Sequence, residues 1–586
     1  MNDYLLAISQ WSLILLSLAI LGRCLRSLLS EKNEPEVWAY IRAGRQRIPV
    51  YHWENIIGKG LSADVRVFGT GIGRTHAVLK RNDKGRWYVY DVFAKGGVWV
   101  NGIKVPQYGE ELRHGDTINL GGSCVTFLDV SPAQKQKNEL SRTSAGSTVN
   151  GAVTLLELTV FQAFLVLEHV MNCGAEYTLP VSLSFGTIVV LQWLIYYGMR
   201  LLGRRGFEIE TLAFYLTTLG LSVAASCSPE DIYKQAILIA GSVLLFLLCG
   251  WWMRSLKRTN ALRIPLAVLA LGLLALNIFT ADAVNGAKNW LTFAGYSFQP
   301  SEFVKALYVY VGAATLDSLY RKKNLYYFIA FSAACVVALA LIGDFGTALI
   351  FFITFLVISF MRSGSIATVL LAVSGAGLAG FLAVTVKPYI ARRFAIWGHV
   401  WDDIYDAGYQ QTRALSAAAS GGLLGKGAGV GWLKDIFASE TDMVFALICE
   451  ELGLIIAITM VLAIVLMAFF AVKSAKRGRS SYYAIASCAT AAMLLSQLAL
   501  NAFGSLDILP FTGVTFPFVS KGGSSLISCW MLMAYLKSAD NRRNASFAVR
   551  PVDKIKLRDY TEDEDDDEEE FEEEPEDEED IYEEDN

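Results

Sequence analysis

Gly408-Tyr409-Gln410-Gln411, Ser420-Gly421-Gly422-Leu423-Leu424-Gly425-Lys426-Gly427, Glu440-Thr441-Asp442-Met443-Val444-Phe445-Ala446 and Glu450-Glu451-Leu452-Gly453 follow one another between Lys387 and Gly453. This is the one long polar segment inside an otherwise apolar C-terminal half. A glycine-dense loop ends in an acidic residue where a new apolar helix begins, a place for chemistry at the boundary between lipid and water. On both sides, apolar runs of about 20 residues recur, the length that crosses a bilayer core. Hydrophobic residues make up 53% of the 586, and mean hydropathy is +0.38. The chain therefore reads as a polytopic α-helical membrane protein.

The first apolar run, 5–22, precedes Arg23 and Arg26 instead of following positive charge. It reads as a retained helix with its N-terminus outside, not as a signal peptide. Twelve more runs lie near 152–172, 178–202, 209–226, 232–253, 262–281, 301–319, 325–342, 346–361, 366–386, 442–472, 481–504 and 519–537, giving about 13 membrane helices. With residues 38–130 inside, the inside connections at 204–205, 254–263, 321–323, 362, 473–479 and 542–543 are all basic, as the positive-inside rule requires. The loops near 282–300, 343–345, 387–441 and 505–518 are then outside.

The net charge of −5 conceals an asymmetry. Twenty of the last 26 residues are Asp or Glu, leaving 51 basic against 36 acidic side chains before them. That tail buries too little apolar surface to fold and reads as disordered. The nine cysteines have no repeated spacing, and Cys249, Cys335, Cys488 and Cys529 sit in apolar runs, so they read as small buried hydrophobes.

Residues 38–130 change character. Short alternating segments such as Trp87-Tyr88-Val89-Tyr90 and Val98-Trp99-Val100 between Gly, Asn and Asp turns predict an all-β sandwich. Ile57-Gly58-Lys59, Arg74-Thr75-His76-Ala77, Asp91, Asn101-Gly102 and Gly115-Asp116-Thr117-Ile118 occur in an order that resembles a forkhead-associated (FHA) domain. The resemblance implies binding to a phosphothreonine-containing protein, with Lys59, Arg74 and His76 as candidate contacts. Lys59 stands where the family has arginine, Gly73 where it has serine and Gly96 where it has asparagine. Lysine attracts phosphate only as a point charge. For His76 and the Asn101-Gly102 turn, a structural role is the alternative.

Ahead of the run at 301 stand Gly286-Ala287-Lys288-Asn289-Trp290-Leu291 and Phe298-Gln299-Pro300-Ser301-Glu302-Phe303-Val304-Lys305. Glu302 and Lys305, three apart, share a helix face inside an apolar run, where charge must be paired or face a polar cavity. These motifs, the polar segment above and Pro517-Phe518-Val519-Ser520-Lys521-Gly522-Gly523-Ser524-Ser525 resemble, in order, the SEDS family of RodA, FtsW and SpoVE. The resemblance covers about 209–540 and implies a ten-helix fold that polymerises lipid II at its outer face, with a class B penicillin-binding protein as membrane partner. It also implies catalysis by Asp442 and a role for Glu302 and Lys305 in the substrate cavity, where Gln410, Arg413, Lys426 and Ser524 are further candidates.

The chemistry agrees: an acceptor hydroxyl must lose a proton while a lipid-linked diphosphate leaves, which asks for a carboxylate and nearby cations. Lys387, Arg392, Arg393, Arg413, Lys426 and Lys434 are in the same loop, and the glycines at 421, 422, 425, 427 and 429 would let backbone approach a bulky ligand. A divalent cation such as Mg is a candidate cofactor, with no ligand set assigned and no nucleic-acid partner. The alternative for Asp442 is a helix N-cap. Departures from the family pattern include Gly343 for a proline, Phe437 and Ala438 for Pro-Glu, Glu440 for His and Lys521 for an aromatic.

The expected organisation is a membrane helix at 1–30, an inserted cytoplasmic FHA-like sandwich at 38–130 and a polar linker at 131–150. Two additional helices at 151–205, the SEDS-like unit at 206–540 and a cytoplasmic tail at 541–586 follow. A lipid-linked precursor flippase and a non-enzymatic scaffold presenting the sandwich are the rival functions.

Overall fold

The computed structural model describes residues 2–30 and 36–548, apart from 61–62, 83–84, 93, 173, 282–287, 294–295, 318–322, 364–365, 387, 477 and 479. The acidic tail, Lys387, Gly286-Ala287, Arg321, Lys322 and Arg479 lie outside the described residues.

The N-terminal sandwich has eleven strands: β1 (Ala39–Ala43), β2 (Gln46–Val50), β3 (Glu54–Gly58), β4 (Val65–Arg66), β5 (Ala77–Arg81), β6 (Trp87–Asp91), β7 (Val98–Val100), β8 (Ile103–Lys104), β9 (Glu110–Leu112), β10 (Thr117–Leu120) and β11 (Ser123–Asp129). A six-stranded sheet, β2-β1-β11-β10-β7-β8, faces a five-stranded one, β4-β3-β5-β6-β9. Alternation decides the inner faces. In β6, Trp87 and Val89 are buried while Tyr88 and Tyr90 are half-buried, and they join Trp38, Ile57, Leu79, Ile118 and Phe127 in one core. Asn101 and Gly102, with φ of 50° and 84°, make the two-residue turn between β7 and β8, which needs left-handed backbone at both positions.

The stretch expected as a linker is ordered. It carries α2 (Pro132–Ser141), capped by the Ser131 hydroxyl, which accepts from the Gln134 amide at 3.2 Å. Arg142 then grips Glu36 with two bonds of 2.5 and 2.6 Å.

The apolar runs appear as α1 (Asn2–Leu29), α3 (Gly151–Asn172), α4 (Thr178–Leu201), α5 (Glu208–Cys227), α6 (Ile232–Trp252), α8 (Arg263–Thr280), α9 (Pro300–Leu316), α10 (Lys323–Ile342), α11 (Phe345–Ser363), α12 (Ile366–Val386), α15 (Val444–Lys476), α16 (Ser481–Ser505) and α17 (Gly523–Ala539). Short helices α7 (Leu256–Ala261), α13 (Pro388–Ile396) and α14 (Tyr409–Gly421) lie between them. Among the described residues ten helices are long and apolar enough to cross a membrane, fewer than the thirteen expected. Helices α9 and α17, at 17 residues each, fall short by length.

Helix α5 is buried along nearly its whole length, although its composition is not the most apolar of the set. It is the hub against which α1, α3, α4, α6 and α15 pack. Its buried carboxylates are paired: Lys537 lies 2.8 Å from Glu210, and Arg542 lies 3.0 Å from Glu208, to which Ser27 of α1 donates at 2.5 Å.

The loops that charge assigned to the two sides gather at opposite ends of the bundle. At one end, Gln299 bonds Asp344 at 3.3 Å and Ser524 at 3.1 Å, Trp397 bonds the Ile508 carbonyl at 3.2 Å, and Asn501 bonds the Asp442 carbonyl at 3.0 Å. At the other, the sandwich docks: Ser481 donates to Glu54 at 2.6 Å, and Lys80 lies 3.5 Å from Asp317. A cavity of about 810 Å³ opens there, lined by Arg74 and Thr75 of the sandwich and by Arg362 and Ser480 of the helical part. It lies at the far end of α15 from Asp442 and contains none of the side chains proposed for catalysis.

Candidate active site

Helix α15 is the spine of the site, and it is not continuous. Gly453 has φ 88° and ψ 162°, so the helix breaks there. The break strands the Glu450 and Glu451 carbonyls, whose usual partners, the amides of Leu454 and Ile455, turn instead to the carbonyls of Gly422 and Leu423 at 3.0 and 3.4 Å. The glycine-rich loop supplies the replacements: Lys426 N donates to Glu450 O at 3.0 Å and Gly427 N to Glu451 O at 2.9 Å. Irregular backbone at membrane depth is tolerated when protein satisfies it in this way.

This geometry gives Gly421 and Gly425 a different purpose from the ligand approach expected of the five glycines. A Cβ at Gly421 would overlap the Cys449 carbonyl oxygen, and one at Gly425 would overlap that of Glu451. At these two positions the missing side chain lets the loop lie against α15.

Lys426 is engaged within the same junction. Its ammonium sits 2.8 Å from Glu450 Oε1, whose carboxylate also accepts from the amides of Trp432 and Leu433 at 3.2 and 3.0 Å. Lys426 is thus held about two helical turns from Asp442. Glu451 accepts from Ser226 of α5 at 2.6 Å. Both acidic residues of the Glu450-Glu451 pair are partnered within the bundle.

Three groups from outside the α5–α17 region secure the same loop. Gln10 of α1 donates to Gly425 O at 3.0 Å, Asn172 of α3 donates to Ala428 O at 2.9 Å, and Glu168 of α3 accepts from Ala428 N at 3.0 Å.

Asp442 stands just before α15. The first helical bond runs from Leu447 N to Met443 O, so Met443 occupies the cap position and Asp442 lies one residue outside it. The capping alternative is therefore not the arrangement found. The peptides on both sides of Asp442 are clamped. Asn501 Nδ2 donates to the carbonyls of Asp442 and Val514 at 3.0 and 2.8 Å, and Ser520 Oγ donates to Thr441 O at 2.6 Å. The carboxylate is half-buried beside Gly513, where a Cβ would come within 3.1 Å of its Oδ2. Burial pushes the Asp442 carboxyl up to about 6; the Thr441 hydroxyl and Arg393 pull it down, and Asp344 pushes it further up.

Asp344, next to Gly343, faces this site fully engaged. It caps α11 by accepting from Thr347 N at 3.0 Å, and its other oxygen receives Gln299 at 3.3 Å and Ser301 at 3.4 Å. Ser524, a cavity candidate, is buried and accepts from Gln299 N. Gln410 donates to Phe437 O at 3.1 Å, tying α14 to the turn before Asp442, and half-buried Arg413 stacks over Tyr409 with its guanidinium carbon 5.2 Å from the ring centre. Glu302 and Lys305 are buried and closed on each other at 2.8 Å, which is the anchoring pair and not an open cavity wall. Asn501 and Ser520 were missed by sequence reasoning, although an asparagine inside an apolar run was a signal.

Asp442 is the half-buried carboxylate near the loop cations, and among the described residues no group of three or more His, Cys, Asp and Glu side chains gathers to hold a metal. Asp344 is occupied by three donors, so a divalent cation here would rest on Asp442 and the substrate's own phosphate oxygens.

In the sandwich, Lys59 and Arg74 are exposed on adjoining loops, with Lys59 N bonded to Gly73 O at 3.0 Å and Gly60 N to Arg74 O at 2.9 Å. His76 is fully buried, so it is corrected from candidate contact to loop brace. Its Nδ1 accepts from Gly73 N at 3.0 Å, which leaves Nε2 to donate to Gly97 O at 3.0 Å.

Residues 55–121 match the FHA domain family. Peptidoglycan glycosyltransferase RodA of Mycobacterium leprae is 28% identical over 283 residues, 46% of this chain and 61% of that protein, so this chain spans under two thirds of its length. Probable peptidoglycan glycosyltransferase FtsW of Tolumonas auensis is 30% identical over 352 residues, 57% of this chain and 91% of that one. A solved chain described under the structural coordination of polymerization and crosslinking by a peptidoglycan synthase complex is 25% identical, covers 57% of this chain and 98% of its own, and has a TM-score of 0.48. Residues 212–545 match the FtsW/RodA/SpoVE family, described as cell cycle protein, and the chain belongs to that family.

Proposed function

We propose that this multi-pass membrane protein is a peptidoglycan glycosyltransferase that polymerises lipid II into glycan strands at the outer face of the cytoplasmic membrane. The observation that carries the proposal is Asp442: a half-buried carboxylate whose flanking peptides are clamped by Asn501 and Ser520, with Arg393 in its field. Asp442 takes the proton from the acceptor sugar hydroxyl. The freed oxygen bonds to the donor's anomeric carbon as the bond to the lipid-linked diphosphate breaks. A carboxyl held near 6 is ionised at neutral pH yet basic enough to share that proton. Exposed Arg392 and Arg393 on α13 are the cations for the departing diphosphate, Arg392 being also paired with Asp406.

The N-terminus and the Asp442 end lie outside, and the sandwich and the tail are cytoplasmic. A class B penicillin-binding protein is the membrane partner. The sandwich meets a phosphothreonine-containing protein through Lys59 and Arg74. Flippase and scaffold readings have less support, since Glu302 with Lys305, Glu210 with Lys537 and Glu450 with Lys426 close on one another instead of lining a polar path.

Glycan-strand formation from lipid II by the purified chain, with and without a class B penicillin-binding protein, tests the proposal against Asp442→Ala. Loss of polymer in the variant is expected. Polymer that persists would remove Asp442 from the chemistry, and no polymer from wild type with the partner present would favour transport or scaffolding.

A further inference from the structure

Two side chains beside Asp442 have no part in the chemistry above. Glu440 lies two residues before it, and Lys521 lies in the segment that leads into α17. Lys521 Nζ sits 3.0 Å from Glu440 Oε2, the same oxygen that accepts from Ser228 Oγ at 2.7 Å, and the ammonium also reaches that hydroxyl. A backbone bond joins the same two residues, Lys521 N to Glu440 O at 2.8 Å. One residue along on each strand, Ser520 holds the Thr441 carbonyl.

Three distant parts of the chain thus meet in one knot: the end of α5, the turn before Asp442 and the approach to α17. The side chains keep 20% and 31% of their exposure, so the pair is partly desolvated, and removing one partner leaves the other charge poorly solvated. The turn needs holding. Ala438 sits at φ 62°, a left-handed conformation that alanine adopts at a cost, and its carbonyl receives the amides of Thr441 and Asp442 at 3.2 and 2.9 Å. Without an external tie, relaxation of Ala438 would carry Asp442 with it.

We infer that Glu440, Lys521 and Ser228 form a clamp that positions Asp442 for proton transfer. This rests on Asp442 being the base. The bland alternative, a rim ion pair joining two loops, would affect stability and leave turnover alone. A misplaced base lowers the rate at saturating substrate, whereas substrate binding, made by other groups, is little changed.

The test uses the full chain in liposomes with fluorescent lipid II and the variants Glu440→Lys, Lys521→Glu, the double reversal and Asp442→Asn. Each single reversal is expected to lower the saturated rate at least about tenfold with KM shifted less than about threefold, and the double reversal to recover to within about threefold of wild type. Single reversals within about twofold of wild type, a loss confined to KM, or a double reversal no better than the worse single would overturn the clamp. Wild-type polymerisation by Asp442→Asn would instead overturn the base assignment, a separate failure. Where a reversal yields aggregated protein, Glu440→Gln, Lys521→Gln and their double take its place, and coupling under about twofold overturns the clamp.

Discussion

Replacing Asp442 by asparagine should make the protein more stable while making it inactive. The carboxyl is pushed from 3.8 in a free side chain to about 6 in the fold, chiefly by burial. The folded state therefore holds its proton more tightly than the unfolded chain does. Stability from this group is full below about pH 4 and is lost as pH rises through about 6, where the folded protein must carry a poorly solvated charge. A shift of about two units corresponds to about 3 kcal/mol, and solvent reaching a half-buried carboxylate reduces that to about 1–2 kcal/mol. Asparagine keeps the shape and has no charge to desolvate. The gain should show above pH 7 as a rise of a few degrees in the thermal midpoint of detergent-solubilised protein, and it should shrink toward zero by about pH 4. A variant that melts below wild type at pH 8, or a gain that does not change with pH, would refute the reasoning, because either result means the ionised carboxylate is being stabilised by a partner.

The rate of lipid II polymerisation should fall below about pH 6 with a slope near one as Asp442 is protonated, which a pH–rate profile measures. Gly425→Ala forces a side chain into the Glu451 carbonyl at φ 85°; it should lose activity and loosen the loop, read as faster hydrogen exchange at 421–429. Lys537→Met leaves Glu210 buried and unpaired and should destabilise by about 3–5 kcal/mol, with Lys537→Met/Glu210→Gln recovering most of the lost midpoint.

The helices were legible because an apolar run of bilayer length has few other uses, and the observed bounds of α3, α6 and α16 lie within a residue of the runs. The sandwich was legible from alternation, and the gathering of loops at two ends from charge. The site was legible only in part. Asp442 was singled out by the family resemblance, since its place before an apolar run reads equally well as a helix cap. The pairing of Lys426 was hidden because its partner, Glu450, lies 24 residues away, beyond any local pattern. The purpose of the glycines was hidden because Gly453 resembles any helix glycine until its φ is known. Glu440 and Lys521 each read as a departure from the family; 81 residues apart, they make sense only as a pair.

The bonds from α1 and α3 to the glycine loop have a consequence for biosynthesis. Gln10 is made 415 residues ahead of its partner Gly425, and Lys473 reaches back 445 residues to the Leu28 carbonyl. The first helix therefore gains α3 and α5 as neighbours early, while the surface that α15 and the glycine loop offer it comes only late in translation. Until α15 arrives, Gly421 and Gly425 lack the helix they lie against and Asp442 has no fixed place. Chains that stop before α15 would carry the sandwich and the early helices without the assembled Asp442 site.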